Sequence, residues 1–235
     1  MTYEEIMPAL AKMGSPSIKK VHAQHGAKEP FYGVKVSDLK TIVKRVKKDH
    51  DLSLRLYASG VSDAMYLAAL IADEKRITVR DLNRWVKEAS WSMLSEYAVP
   101  WVAAESPHGW SLGLTWIDAK SEQTAAAGWS TLSSVLSITP DADLDHKAIT
   151  GLLARIKKEI TKAPNRVRAT MNLFIIAVGT YVPELTPAAK ALATALGPIS
   201  IESAGTACKA PSAYDYIVKV EKMGRLGKKK KVARC

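Results

Sequence analysis

Few residues in this chain are spaced for chemistry. His22 and His25 stand three apart, as do Glu105 and His108; on a helix each pair shares a face and could hold two positions around a metal ion. No third ligand is visible beside either pair, so no metal and no cofactor are expected. Asp141, Asp143 and Asp145 alternate like the start of a calcium loop, but the glycine and closing glutamate of such a loop are missing. They read instead as acids gathered ahead of a helix N-terminus. There is no phosphate-cradling glycine-rich loop, no nucleophile elbow and no Cys/His dyad spacing. Glu96 is a carboxylate set inside an apolar segment, between Trp91 and Trp101. Such a residue is usually at the surface or paired with a neighbouring base and, in a cleft, is a candidate for chemistry.

The charge distribution says more. Residues 219–235 carry eight Lys or Arg against one Glu, ending in Lys228, Lys229, Lys230 and Lys231 with Arg234 behind them. Residues 35–48 and 155–168 each hold six bases and one acid. These three blocks exceed the chain's net +11, so the rest of the protein is net acidic. Positive charge collected in a few places on an acidic body is the footprint of a polyanion, nucleic acid above all. The candidate backbone-binding residues are Lys40, Lys44, Lys47, Lys157, Lys158, Arg166, Arg168 and Lys228–Lys231.

What must position these residues is helical. In residues 36–46 the apolar positions Val36, Leu39, Ile42, Val43 and Val46 form one stripe, with Lys40, Lys44 and Lys47 on another face and Ser37 as N-cap. Further helices are expected over 52–58, 62–73, 78–89, 91–103, 106–118, 121–137, 144–161, 165–180 and 186–196, several opened by Ser62, Thr78, Ser106 or Ser121. Sustained apolar–polar alternation is absent, so an all-α chain is expected. Helix pairs recurring with short linkers predict a HEAT-like solenoid over residues 1–200. Residues 201–235 read as an irregular extension with a short helix at 213–221, and from Met223 onward as a basic tail without fixed structure.

Two cysteines, Cys208 and Cys235, make neither a disulfide framework nor a zinc set. The opening Met-Thr-Tyr-Glu-Glu lacks the basic and apolar regions of a signal peptide, and no apolar run is long enough for a bilayer. A cytoplasmic protein with no membrane partner is expected. Trp91, Trp101 and Trp129 are by default core residues, and otherwise aromatics of a groove.

Several stretches carry a resemblance. Phe31-Tyr32-Gly33-Val34 leads into the basic helix. Ala89-Ser90-Trp91 opens a segment running to Val99-Pro100. Val167-Arg168-Ala169-Thr170-Met171-Asn172 opens an apolar helix, and Thr206-Ala207-Cys208-Lys209-Ala210-Pro211 precedes the basic end. In their order and spacing the chain resembles the DNA alkylation repair proteins built from HEAT-like helix pairs, whose best-known members are alkylpurine DNA glycosylases. The resemblance implies a monomer whose basic concave surface holds double-stranded DNA by its backbone. In the glycosylase members a cleft with tryptophans, an aspartate and an arginine handles the damaged nucleotide.

Carried over by position, the first tryptophan of the family's pair is Trp91, the second falls on Ser92 and the catalytic aspartate on Glu96. The arginine falls near Ala126 and a third aromatic near Leu173. The carboxylate therefore survives with one more methylene, and three other groups are replaced; Trp91, Tyr97, Trp101 and Trp129 are the aromatics that could rebuild the cradle. Three readings stand open: a glycosylase using Glu96 to stabilise a developing oxocarbenium ion, a non-catalytic module that recognises bent or branched DNA, and a protein–protein scaffold.

Overall fold

The stripe over residues 36–46 folds as expected, with Leu39 and Ile42 buried and Lys40 and Lys44 turned to solvent. A computed structural model describes residues 1–202 and 210–234, and every regular element among them is helical. In chain order these are α1 (Tyr3–Met13), α2 (Pro16–Gln24), α3 (Val36–Val46), α4 (His50–Ala58), α5 (Ser62–Ile71), α6 (Val79–Glu88), α7 (Val99–Glu105), α8 (Gly109–Trp116), α9 (Glu122–Ile138), α10 (His146–Glu159), α11 (Asn165–Tyr181), α12 (Thr186–Leu196) and α13 (Ala213–Lys222). A π-helical turn, Met93–Ala98, precedes α7. Cys208, Cys235 and the Thr206–Lys209 part of the resemblance fall outside the described residues.

Side-chain caps start many of these helices. Thr2 with Glu5, and Thr78 with Asp81, form reciprocal capping boxes. Ser121, Asp145 and Ser212 each accept a backbone N–H from the first turn. Asp145 is thus a cap, as the acid-rich N-terminus reading requires. Two expected caps shift: α3 begins at Val36, ahead of Ser37, and α8 begins at Gly109 because Ser106 turns back to Ala103 O. Helices α1 and α2 lie where no element was expected, since Pro8, Gly14 and Pro16 interrupt the apolar period there.

Helices α3, α5, α7, α9, α11 and α13 pack side by side in one row, with α4, α6, α8, α10 and α12 as the second layer. This is the paired-helix stacking of a solenoid. Two apolar cores run along it. One is built around Leu39, Tyr57, Leu67, Trp85 and Leu94, the other around Trp129, Leu132, Phe174 and Ile217. They divide at α8 and α9, where glycines let the backbones meet: a Cβ on Gly128 would lie 2.5 Å from Ile117 N. Asp63, buried on α5, accepts the amides of Tyr32 (2.6 Å) and Val34 (2.8 Å), so the Phe31–Val34 segment is a structural splint leading into α3.

Residues 224–234 correct an expectation. The basic tail is docked as a strap across the C-terminal ends of α11, α9, α7 and α5 in turn. Gly227 N–H donates to Thr180 O (2.8 Å), Lys230 N–H to Ser137 O (2.7 Å) and Lys229 Nζ to Leu136 O (2.9 Å). The amides of Ala233 and Arg234 both donate to Glu105 Oε1, at 2.8 and 2.9 Å. The Arg234 guanidinium then reaches Ala72 O (2.8 Å), Glu74 (2.9 Å) and Glu105 (2.9 Å). Helix C-termini leave carbonyls unpaired and carry partial negative charge, which amides and cations neutralise. A composition poor in apolar residues gives no hint of such partners, which is why disorder was the natural inference.

Candidate nucleic-acid interface

Pro100 builds the site. With no N–H to give to Glu96 O and a ring that crowds that carbonyl, it cannot sit in an ordinary helical register. The chain widens into the π-helical turn just before it, with Val99 N–H reaching back to Leu94 O. That turn carries Glu96, which is buried, its side chain only 2 % exposed.

The partner of Glu96 is Arg166, from the first turn of α11. Arg166 Nε donates to Oε1 (2.6 Å) and Nη2 to Oε2 (2.5 Å), a bidentate fork. The Arg166 amide donates to Glu122 Oε1 (2.7 Å), tying α11 to the first turn of α9. Burial pushes the Glu96 carboxyl above its ordinary value while Arg166 pulls it back. The hydrogen bonds to Glu96 push Arg166 up in turn, so the guanidinium remains charged. Burial likewise raises the Tyr97 phenol.

Around this pair lies an open cleft of about 660 Å³. Trp91, Ser92, Glu96, Arg166 and Leu173 all line it, with Tyr97, Gln123, Asn165 and His22 completing its walls. His22 packs on Trp91 with ring centroids 5.2 Å apart. Burial pulls the His22 imidazole below its ordinary value, leaving it uncharged at neutral pH. Asn165 exchanges hydrogen bonds with the backbone of Glu202, at 2.8 and 2.9 Å. A second, smaller cleft meets the first at Leu173 and is lined by Trp101, Thr180, Tyr181, Tyr216 and Lys230. Tyr97 and Trp101 stand edge to face at 5.9 Å between them.

The structure thus assembles Trp91, Ser92 and Glu96 and adds Arg166, which sequence spacing assigned to the DNA backbone. Trp129 is different: it is fully buried, edge to face with Phe174 at 5.3 Å, and lines neither cleft. It is a core residue, packed between α9 and α11 in the second apolar core. Ala126, where the family's arginine falls, is also buried. Lys40, Lys44, Lys47, Lys157, Lys158, Lys228 and Lys231 are exposed, with no ion-pair partner among the described residues. Lys230 is exposed beside the Tyr181 ring, whereas the Lys229 ammonium is occupied by Leu136 O. Arg168 is half-buried on α11. Glu105 holds the strap by accepting the amides of Ala233 and Arg234. Tertiary packing alone brings in His22 and Gln123; the sequence signal at His22 was its spacing from His25, which points to a metal rather than to Trp91.

A two-layer stack of helix pairs with an aromatic, ion-paired cleft on its central row defines a HEAT-like repeat protein. Residues 6–204 match the model of the DNA alkylation repair enzyme family, and the chain belongs to that family. It is similar to an uncharacterized protein of Listeria monocytogenes, 30% identical over 225 residues (93% of this chain, 97% of that one). It is also similar to one from Listeria innocua, 28% identical over the same shares. A solved structure superposes with a TM-score of 0.92 and 32% identity over 100% of both chains. That protein belongs to a family related to the HEAT-like repeat DNA glycosylases with affinity for branched DNA structures.

Proposed function

We propose that this protein binds double-stranded DNA as a cytoplasmic monomer, prefers branched over linear duplex, and releases no base. The observation that carries the non-catalytic part is the Glu96–Arg166 fork. A carboxylate stabilises a developing oxocarbenium ion through the negative charge it can turn toward the sugar, and a guanidinium bound to both oxygens reduces that charge. Here both Glu96 oxygens are held by a guanidinium and the pair is near neutral. The second tryptophan position is Ser92 and the third aromatic position is Leu173, so stacking on a cationic base is weak as well.

Binding itself is supported by the free lysines of α3, α10 and the strap, which suit phosphates. The preference for branches is supported by the affinity for branched DNA structures of the structural relative's family, a relative matched over 100% of both chains. No α-helix among the described residues is long and apolar enough to cross a membrane.

The test pairs two measurements on the pure protein. Competition between a four-way junction and a linear duplex of the same sequence should favour the junction, with affinity falling steeply as salt rises. Incubation with methylated DNA should release no free purine. Release by the wild type that is lost in Glu96→Gln would instead make the protein a glycosylase.

A further inference from the structure

The two apolar cores meet at a seam between α8 and α9, and a solenoid's arc depends on the small rotation between successive repeats. Among the contacts that bridge the seam, two lie at opposite ends of the helices. At the N-terminal ends of the row, Glu96 from the first core grips Arg166 from the second. At the C-terminal ends, the strap leaves α13, runs over α11 and α9, and inserts Ala233 between Ala104 of α7 and Val135 of α9. It finishes with Arg234 buried, its side chain 9% exposed, against α5 and α7. Arg234 is bonded to residues 160 and more positions away. Opening or closing the arc changes the spacing of those helix ends, so a strap bonded to all of them opposes both movements.

We propose that Arg234 is a positioning residue: it locks the strap as a clasp that holds the helical row at one arc, and through that arc it sets the protein's selectivity for branched over linear DNA. Arg234 cannot act by touching a phosphate, because its guanidinium is enclosed by Leu70 O, Ala72 O, Glu74 and Glu105. The exposed strap lysines Lys228, Lys230 and Lys231 have the complementary role of a general phosphate contact, which positions DNA without choosing its shape. The selectivity half of this proposal rests on the DNA-binding function proposed above; the clasp half does not.

The experiment uses the full chain with Arg234→Ala and Arg234→Lys, beside the triple variant Lys228→Ala, Lys230→Ala, Lys231→Ala. A lysine keeps the charge but cannot span four partners at once, so it too should release the clasp. Thermal melts establish that each variant is folded. In both Arg234 variants, hydrogen exchange should accelerate at the amides of Lys230, Ala233 and Arg234, and solution X-ray scattering should show a broadened distance distribution. The junction-to-duplex affinity ratio should fall about fivefold or more. The triple variant should lose affinity for both DNAs equally, with unchanged scattering. Arg234 variants with unchanged scattering overturn the clasp, even if the strap amides exchange faster. Altered scattering with an unchanged affinity ratio overturns the role in selectivity. A wild type that binds junction and duplex alike overturns the proposed function and the selectivity role together, while the scattering still decides the clasp.

Discussion

Glu96 and Arg166 lie 70 positions apart in sequence and meet through two hydrogen bonds of 2.6 and 2.5 Å. The pair is asymmetric: the Glu96 side chain is 2% exposed and that of Arg166 37%. Burying an ion is costly unless its partner stays, so the two truncations should differ sharply. Arg166→Ala strands a buried carboxylate and should cost about 3–5 kcal/mol. Glu96→Gln leaves a guanidinium that reaches water, and should cost less. Urea denaturation of both variants compares them directly.

The same asymmetry sets a pH dependence. Burial already raises the Glu96 carboxyl, and Arg166 opposes that rise. Without Arg166 the folded-state value climbs further. A folded acid that holds its proton more tightly than the unfolded chain favours the fold at low pH, and loses that advantage as pH rises through the folded value. Arg166→Ala should therefore gain stability relative to wild type as pH is lowered toward the ordinary glutamate range. Equal pH profiles for the two proteins would contradict the ion pair.

The strap should respond to acid in the opposite sense. Burial, the largest influence on Glu74, pushes its carboxyl up, but Lys48 and Arg234 outweigh it and hold the group below its ordinary value. Its contribution is present above the unfolded-state value and lost as pH falls through the folded one. Exchange of the Ala233 and Arg234 amides should accelerate in acid, before the cores unfold. Glu74→Gln should remove that step.

Glycine substitutions separate close packing from open helix. A Cβ on Gly128 would meet Ile117 N at 2.5 Å and Gly113 O at 2.9 Å, backbone atoms that cannot swing aside. Gly128→Ala should destabilise by about 1–3 kcal/mol. Gly151, inside α10, has nothing within 4 Å of the same position. Gly151→Ala should stabilise by up to about 1 kcal/mol, since alanine is the better helix former. Thermal melts of the two variants should shift in opposite directions.

Much of the helical layout was legible because it depends on neighbours in sequence. The apolar stripe of α3, the Thr78 and Ser121 caps and the bounds of α12 all follow from spacing within a few residues. The same local logic failed where proline and glycine broke the period, so α1 and α2 were missed and α8 was started too early. At the site, Trp91, Ser92 and Glu96 came forward through the family resemblance, and the structure sets them on one short segment lining the cleft, whose shape Pro100 dictates. Trp129 could be read both as core and as a cradle aromatic, because spacing cannot tell a core-facing tryptophan from a groove-facing one; the structure makes it core.

By itself, the sequence determined that the chain is helical, paired in a solenoid and basic in three blocks, since propensity, period and charge belong to residue types and near neighbours. The tertiary structure alone decided what those charges do. Arg166, Lys229 and Arg234 are spent on Glu96, on a helix-end carbonyl and on Glu74 with Glu105, whereas Lys40, Lys157 and Lys228 remain exposed. The reason is physical. A cation's role is set by whichever carboxylate or unpaired carbonyl the packed helices bring within 3 Å or so, and contacts across 70 to 160 residues leave no local trace in a sequence.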